Sequence, residues 1–246
     1  MQKSSFSMIY PEIGKRIQIA PSKYGYASGY RKPKSIQKQA EILSKVFPLL
    51  SHQLLNVPIF EQKELGFTEG LFVIPHWLLI AQTYHDAVLT ALERLREIRG
   101  GRVYQYSFGK MRSNYLSRGS STERAFKIIG GERWWSRVVT IPAQFGIDYR
   151  GVSSQWAKRM FREREYGLGL FEVIIMLITH PERLDNNDDL WIECPGDSYA
   201  VIAEKDPINT PFVNIIDGEI GIGSVPSNEP GARYGSATWL LPDMYL

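Results

Sequence analysis

Few residue groups in this 246-residue chain have types and spacings that could do chemistry. Cys194 is the single cysteine, in "ECPGDSY", where His180 or Asp197 could serve as the base that makes it a thiol nucleophile. Glu193 beside it works against that role, because a neighbouring carboxylate raises a thiol pKa, and a buried small hydrophobe is the competing reading. The stretch "LDNNDDLWIEC" offers Asp185, Asp188, Asp189 and Glu193, and the Asp188–Asp189 pair could hold Mg²⁺ or Ca²⁺. It lacks the glycine and terminal Glu of a calcium loop, so a polar connection between helix and strand accounts for it better. His52, His76, His85 and His180 are scattered without metal-ligand spacing, and no metal site or cofactor is expected. At the end of a helix, the dipole would favour a charged His180. Phosphate-cradling loops, dinucleotide fingerprints and nucleophile elbows are absent from the sequence.

The remaining group is basic and aromatic: Arg112, Arg118, Trp134, Arg137, Lys158, Arg159 and Arg162, with Trp135 beside them. Cations at such density suit phosphate oxygens, and exposed tryptophans suit bases. The net charge of +3 conceals an uneven distribution. Residues 91–165 hold 16 Lys and Arg against 7 Asp and Glu, while residues 166–246 hold 3 against 13. Two arrangements follow: a basic face for RNA or DNA, or two oppositely charged segments folded against one another.

The elements that would position these groups can be read from periodicity. Residues 1–34 carry Tyr24, Tyr26 and Tyr30 among Gly, Ser and Lys with no apolar period, which predicts an extended or poorly ordered arm. It is either a tail laid over the domain or a single-strand contact. Ile36, Ala40, Leu43 and Phe47 predict a helix capped by Ser35. "LFVI" predicts a strand ended by Pro75, and "HDAVLTALERLREIRGG" a helix capped by Asp86 and stopped by Gly100 and Gly101. "RVYQYSF" alternates as a strand with Tyr104, Tyr106 and Phe108 on one face. "SSTERAFKIIGG" predicts a helix with Ser120 and Glu123 as a capping box, and "WWSRVVTIP" a strand closed by Pro142.

"SSQWAKRMFREREYG" places Trp156, Ala157, Met160 and Phe161 on one side and Lys158, Arg159 and Arg162 on the other, with an Arg159–Glu163 pair at i, i+4. "LFEVIIMLITH" is apolar nearly all round, too short to span a bilayer, and therefore a buried helix. "DLWIEC" predicts a strand, and Asp217-Gly218 a type I′ turn between the arms of "FVNIIDGEIGIG". In the second arm Gly221 and Gly223 share a face, which suits a neighbouring ring or a ligand. "SATWLLP" predicts a last strand.

In the order "LFVIP", "RVVTIPAQFGIDYRGVSSQWA", "YGLGLFEVIIMLITHPERL", "DLWIEC" and "DGEIGIG", residues 70–246 resemble a bacterial family catalogued as a domain of unknown function. Leu168, Glu172, Pro181 and Glu182 carry the likeness; the departure is Gly169, where the family pattern has a capping Thr. The resemblance implies architecture and no chemistry.

The sequence therefore predicts a single α/β domain over 35–246, with α+β as the variant: a mixed sheet flanked by helices, a C-terminal hairpin, and the arm 1–34. The lone cysteine and the polar start "MQKSSFSMIYPEIGKR" lead to a cytoplasmic expectation. The function expected is non-catalytic binding of an RNA or DNA phosphate backbone, without a membrane partner. Its rivals are an enzyme using Cys194 and His180 or Asp188 and Asp189, and a protein-interaction module.

Overall fold

A computed structural model describes residues 19–55, 57, 68–105, 115–131, 137–200 and 209–242. The chain folds as an α/β domain in which helices pack on mixed and antiparallel sheets. Helix α1 (Ile36–Val46) is capped by Ser35, whose hydroxyl accepts from Lys38 N, and a short α2 (Ser51–Leu54) follows. Strand β1 (Gly70–Pro75) leads to α3 (Tyr84–Ile98), whose cap is Thr83 and not Asp86. Asp86 lies inside the first turn: its N–H donates to the Thr83 hydroxyl at 3.1 Å, and that hydroxyl donates to its carboxylate at 2.6 Å.

Strands β2 (Val103–Gln105) and β3 (Leu116–Arg118) precede α4 (Ser120–Gly130). Of the predicted Tyr face on β2, Tyr104 is exposed, while Tyr106 and Phe108 lie outside the described residues. The capping box predicted for α4 does not form, because Gly119 occupies the cap and Glu123 turns to Arg118. Strand β4 (Val138–Gln144) runs through Pro142 instead of closing there. On one side β11 pairs only with Ala143 and Gln144, so the missing N–H of Pro142 breaks no bond of that ladder.

After β4 come α5 (Ser154–Met160), β5 (Glu165–Gly167) and α6 (Leu170–Thr179). They are followed by β6 (Trp191–Glu193), β7 (Asp197–Tyr199), β8 (Asn209–Ile216), β9 (Glu219–Pro226), β10 (Tyr234–Ser236) and β11 (Thr238–Leu240). One sheet is antiparallel, in the order β1-β4-β11-β5. The other runs β10-β6-β8-β7-β3, with β9 on β8 and β2 on β9; it is mixed, because β10–β6 and β2–β9 are parallel. Ala237 carries the chain from one sheet to the other: its N–H donates to Glu193 O, and its carbonyl accepts from Leu168 N. "SATWLLP" is thus two strands with a crossing between them.

The β8–β9 hairpin turns at Asp217 and Gly218, both at positive φ as a type I′ turn requires. At Gly223 of β9 a neighbouring ring explains the glycine: a Cβ there would stand 2.7 Å from the Phe212 side chain opposite it.

All ten residues of α6 are buried, packed against α3, α1 and β1. Burying a Leu or Ile side chain stabilises by roughly 1.5–3 kcal/mol, which makes α6 the spine of the core. None of the described helices is long and apolar enough to cross a membrane. Where it is described, the N-terminal arm is laid over the domain. It bridges Ile19 to Val152 and Gly25 to Asp189, and it buries Tyr30 edge-on against Phe145 and His180.

Candidate functional site

Among the described residues, the charged side chains singled out by the sequence fall mainly into two groups, one inside the fold and one on its surface. The inner group surrounds the N-terminus of α6. Arg118 on β3 is buried, with Nη1 2.8 and 3.1 Å from the two Glu172 oxygens and Nε 2.6 Å from Glu123 Oε2. Its guanidinium lies over the rings of Tyr84 and Phe126, 5.0 and 5.1 Å from their centroids. Burial works against its charge, but Glu172 and the other groups around it outweigh that and hold Arg118 firmly protonated.

Asp197 performs the capping that Gly169 has no side chain to do. Its Oδ2 accepts from Leu170 N at 2.7 Å and from the Tyr84 hydroxyl at 2.6 Å, while Glu172 Oε2 accepts from Gly169 N at 3.0 Å. A Cβ at Gly169 would stand 2.7 Å from Asp197 Oδ1, so a capping Thr does not fit there. Burial, reinforced by Glu172 and opposed by Arg118, pushes the Asp197 carboxyl up to about 7. Glu193, on β6, is also raised to about 7 by burial, against the Ser236 hydroxyl that donates to it at 2.8 Å and against Lys158. The crevice leading toward Glu172, between His76, Phe126 and Arg137, measures about 10 Å³, enough for roughly one water and no substrate.

Cys194 with His180 and Asp188 with Asp189 do not assemble into sites, and Asp197, which does lie close to Cys194, raises its thiol pKa. Cys194 is fully buried, and burial together with Asp197, Glu172 and Glu193 pushes its thiol up, away from the reactive thiolate. Cys194 stands near the start of α6 and His180 caps its other end, ten residues or about 15 Å along the helix. His180 is not charged by the helix dipole as expected. Its Nε2 accepts from Lys34 N at 2.8 Å, and burial followed by the Lys34 charge lowers its pKa to about 4.

Asp189 accepts from the N–H groups of Ser28, Asp185 and Asn186 at 2.8–2.9 Å, which makes it the organiser of its loop. Asp188, its partner in the proposed cation site, is exposed. Among the described residues no three His, Cys, Asp or Glu side chains could together hold a metal ion.

The surface group collects part of the basic set. Lys158 and Arg159 are exposed on the last turn of α5, and Arg159 lies over the Trp156 ring at 4.7 Å. The expected Arg159–Glu163 pair is missing because α5 ends at Met160. Arg162 is partly held, with Nη1 3.3 Å from Asp148 Oδ2 and 3.4 Å from Glu165 Oε2. Arg137 is exposed at the far end of β4, beside the crevice. Arg118, predicted to join this face, is removed from it by burial and by its carboxylates. Arg112, Trp134 and Trp135 lie outside the described residues. The two charge-biased segments do meet in part, through Arg118–Glu172 and Arg99–Asp185. This leaves Arg159 without a carboxylate partner among the described residues and Lys158 without a direct ion pair, within reach only of the charges of Asp197 and Glu193.

Sequence reasoning missed Arg233, whose guanidinium sits 4.8 Å from the Tyr24 ring and 5.3 Å from the Trp191 ring. Tyr24 was visible as part of an aromatic arm. Arg233 was masked by the acidic bias of the chain's last third. Taken together, the inner group holds its charges beside a crevice with room for roughly one water, while the surface group presents exposed cations. Compared with family models, curated proteins and solved structures, the chain matches none.

Proposed function

We propose that the chain is a non-catalytic binding module that grips the phosphate backbone of RNA or DNA through the exposed face of α5. The observation that carries this reading is the Arg159–Trp156 stack. The guanidinium lies over a half-exposed indole, 4.7 Å from the ring centroid, with Lys158 beside it. Arg159 has no carboxylate partner among the described residues, and Lys158 forms no direct ion pair there, feeling Asp197 and Glu193 only at a distance. A stacked guanidinium keeps its N–H edge for an acceptor, and phosphate is the acceptor it fits in bidentate fashion. Arg162 adds charge at the exit of the helix, weakened by its carboxylate neighbours. Cations in the last turn also complement the helix dipole, which supplies a purely structural reason for Lys158 and Arg159.

The test is a titration of the full chain into a fluorescently labelled single-stranded oligonucleotide at 50 and 200 mM salt. Binding that weakens steeply across that range supports the reading, because phosphate contacts release counterions. No binding at 50 mM salt defeats it.

A further inference from the structure

Arg233 makes a second, separate site. Its backbone is fixed: the carbonyl accepts from Trp191 N at 2.8 Å, and the next residue, Tyr234, donates to Gly231 O at 3.0 Å. Its guanidinium lies over both Tyr24 and Trp191, 4.8 and 5.3 Å from their ring centroids, and Trp191 is itself stacked on Phe212 at 5.9 Å with 12° between the rings. The side chain is half-buried and has no hydrogen bond or ion pair with any described residue.

An arginine in a protein's interior layer normally spends its N–H groups on carbonyls or carboxylates, as Arg118 does on Glu172 and Glu123. Arg233 has given up its side-chain freedom to two rings and kept its donors. That is a fork prepared for two oxygens of one anion.

The surroundings narrow the ligand. Lys23 places its ammonium 5.9 Å from the same Tyr24 ring. Lys23 and Tyr24 also line an open cleft of about 410 Å³ with Gly25, Tyr26, Ala27 and Asp188, in the size range of small-molecule sites. Arg233 does not line this cleft but lies over the Tyr24 ring that does, and Lys23 approaches the same ring; a pair of cations favours a phosphate dianion over a carboxylate. Asp188, exposed on the cleft wall, accepts hydrogen bonds and repels a second anionic group, so the rest of the ligand must bring a donor such as a hydroxyl.

We infer that Arg233, Tyr24 and Lys23 form a binding site for a sugar phosphate, with the phosphate on Arg233 and Lys23 and a sugar hydroxyl toward Asp188. This site does not depend on the nucleic-acid reading of α5.

The test follows the Arg233 Nε–Hε resonance by NMR while the full chain is titrated with ribose 5-phosphate, inorganic phosphate and ribose. Ribose 5-phosphate should move the resonance and bind more tightly than inorganic phosphate, and ribose should do nothing. Arg233→Lys keeps the charge without the fork and should weaken ribose 5-phosphate at least tenfold, while Lys158→Gln with Arg159→Gln should leave it unchanged. A 5′-phosphorylated oligothymidylate that shifts Arg233, when its unphosphorylated counterpart does not, would identify a strand end as the source of the sugar phosphate. The inference is overturned if no phosphate probe moves the resonance, or if Arg233→Lys binds ribose 5-phosphate as the unaltered chain does.

Discussion

Arg118 and Arg183 inside the fold, and Arg159 and Arg233 at its surface, share one contact: a guanidinium laid over an aromatic ring at 3.8–5.3 Å. They differ in what their N–H groups meet. Arg118 is enclosed by Glu172 and Glu123, and the fully buried Arg183 donates to a carbonyl. Arg159 and Arg233 have no such acceptor among the described residues. Arg118 is therefore structural, because a buried charge is tolerable only when paired. Arg183 is held by aromatic rings and one carbonyl, its Nε and Nη1 having no hydrogen-bond partner among the described residues. The outer pair is prepared for an anion the chain does not supply. Stacking alone marks neither role; the fate of the donor edge does.

The sharpest way to break this comparison is to remove one arginine of each kind. Arg118→Ala leaves Glu172 and Glu123 without their cation in the core and should cost about 3–5 kcal/mol of stability in urea unfolding. A loss under 1 kcal/mol would mean the cage is not structural. The corresponding outer change, Arg159→Ala, should stay within about 0.5 kcal/mol of the parent.

A second effect follows from the raised carboxyls of Asp197 and Glu193. Between the unfolded value near 4 and the folded value of about 7, the native chain holds protons that the unfolded chain has released. Their contribution to stability is therefore lost as pH rises through that window and levels off above it, with a slope of at most about 1.4 kcal/mol per pH unit for each group. Glu193→Gln should keep an acceptor for Ser236 and remove one share of this slope, so the variant gains on its parent as pH goes from 5 to 8. Equal slopes in urea midpoints across that range would contradict the burial account. A smaller effect concerns Cys194. In native protein at neutral pH a thiol reagent should leave it unmodified, with full reaction only in denaturant.

The sequence made the local parts of this fold readable and left the meetings between distant parts hidden. The 3.6-residue period of α1, α3 and α6 and the Asp217-Gly218 turn are written in neighbouring residues, so they could be placed in advance. The caps were harder. Thr83 displaces Asp86 by a three-residue shift, and Asp197 caps α6 from 27 residues away. Arg118 looked like part of a basic surface because its partner Glu172 lies 54 residues further on. Arg233 stands in a stretch whose counted charge is acidic, and its two rings come from the arm and from β6. Charge counted along a chain says how many cations there are, and only folding decides which of them are already paired.

The most direct measurement is the salt dependence of strand binding by the full chain and by Lys158→Gln with Arg159→Gln, plotted as log affinity against log salt. With two phosphate contacts removed, the slope should flatten by about 1.4 while urea stability stays put. An unchanged slope in the folded double variant would show that α5 does not hold the strand and would contradict the account.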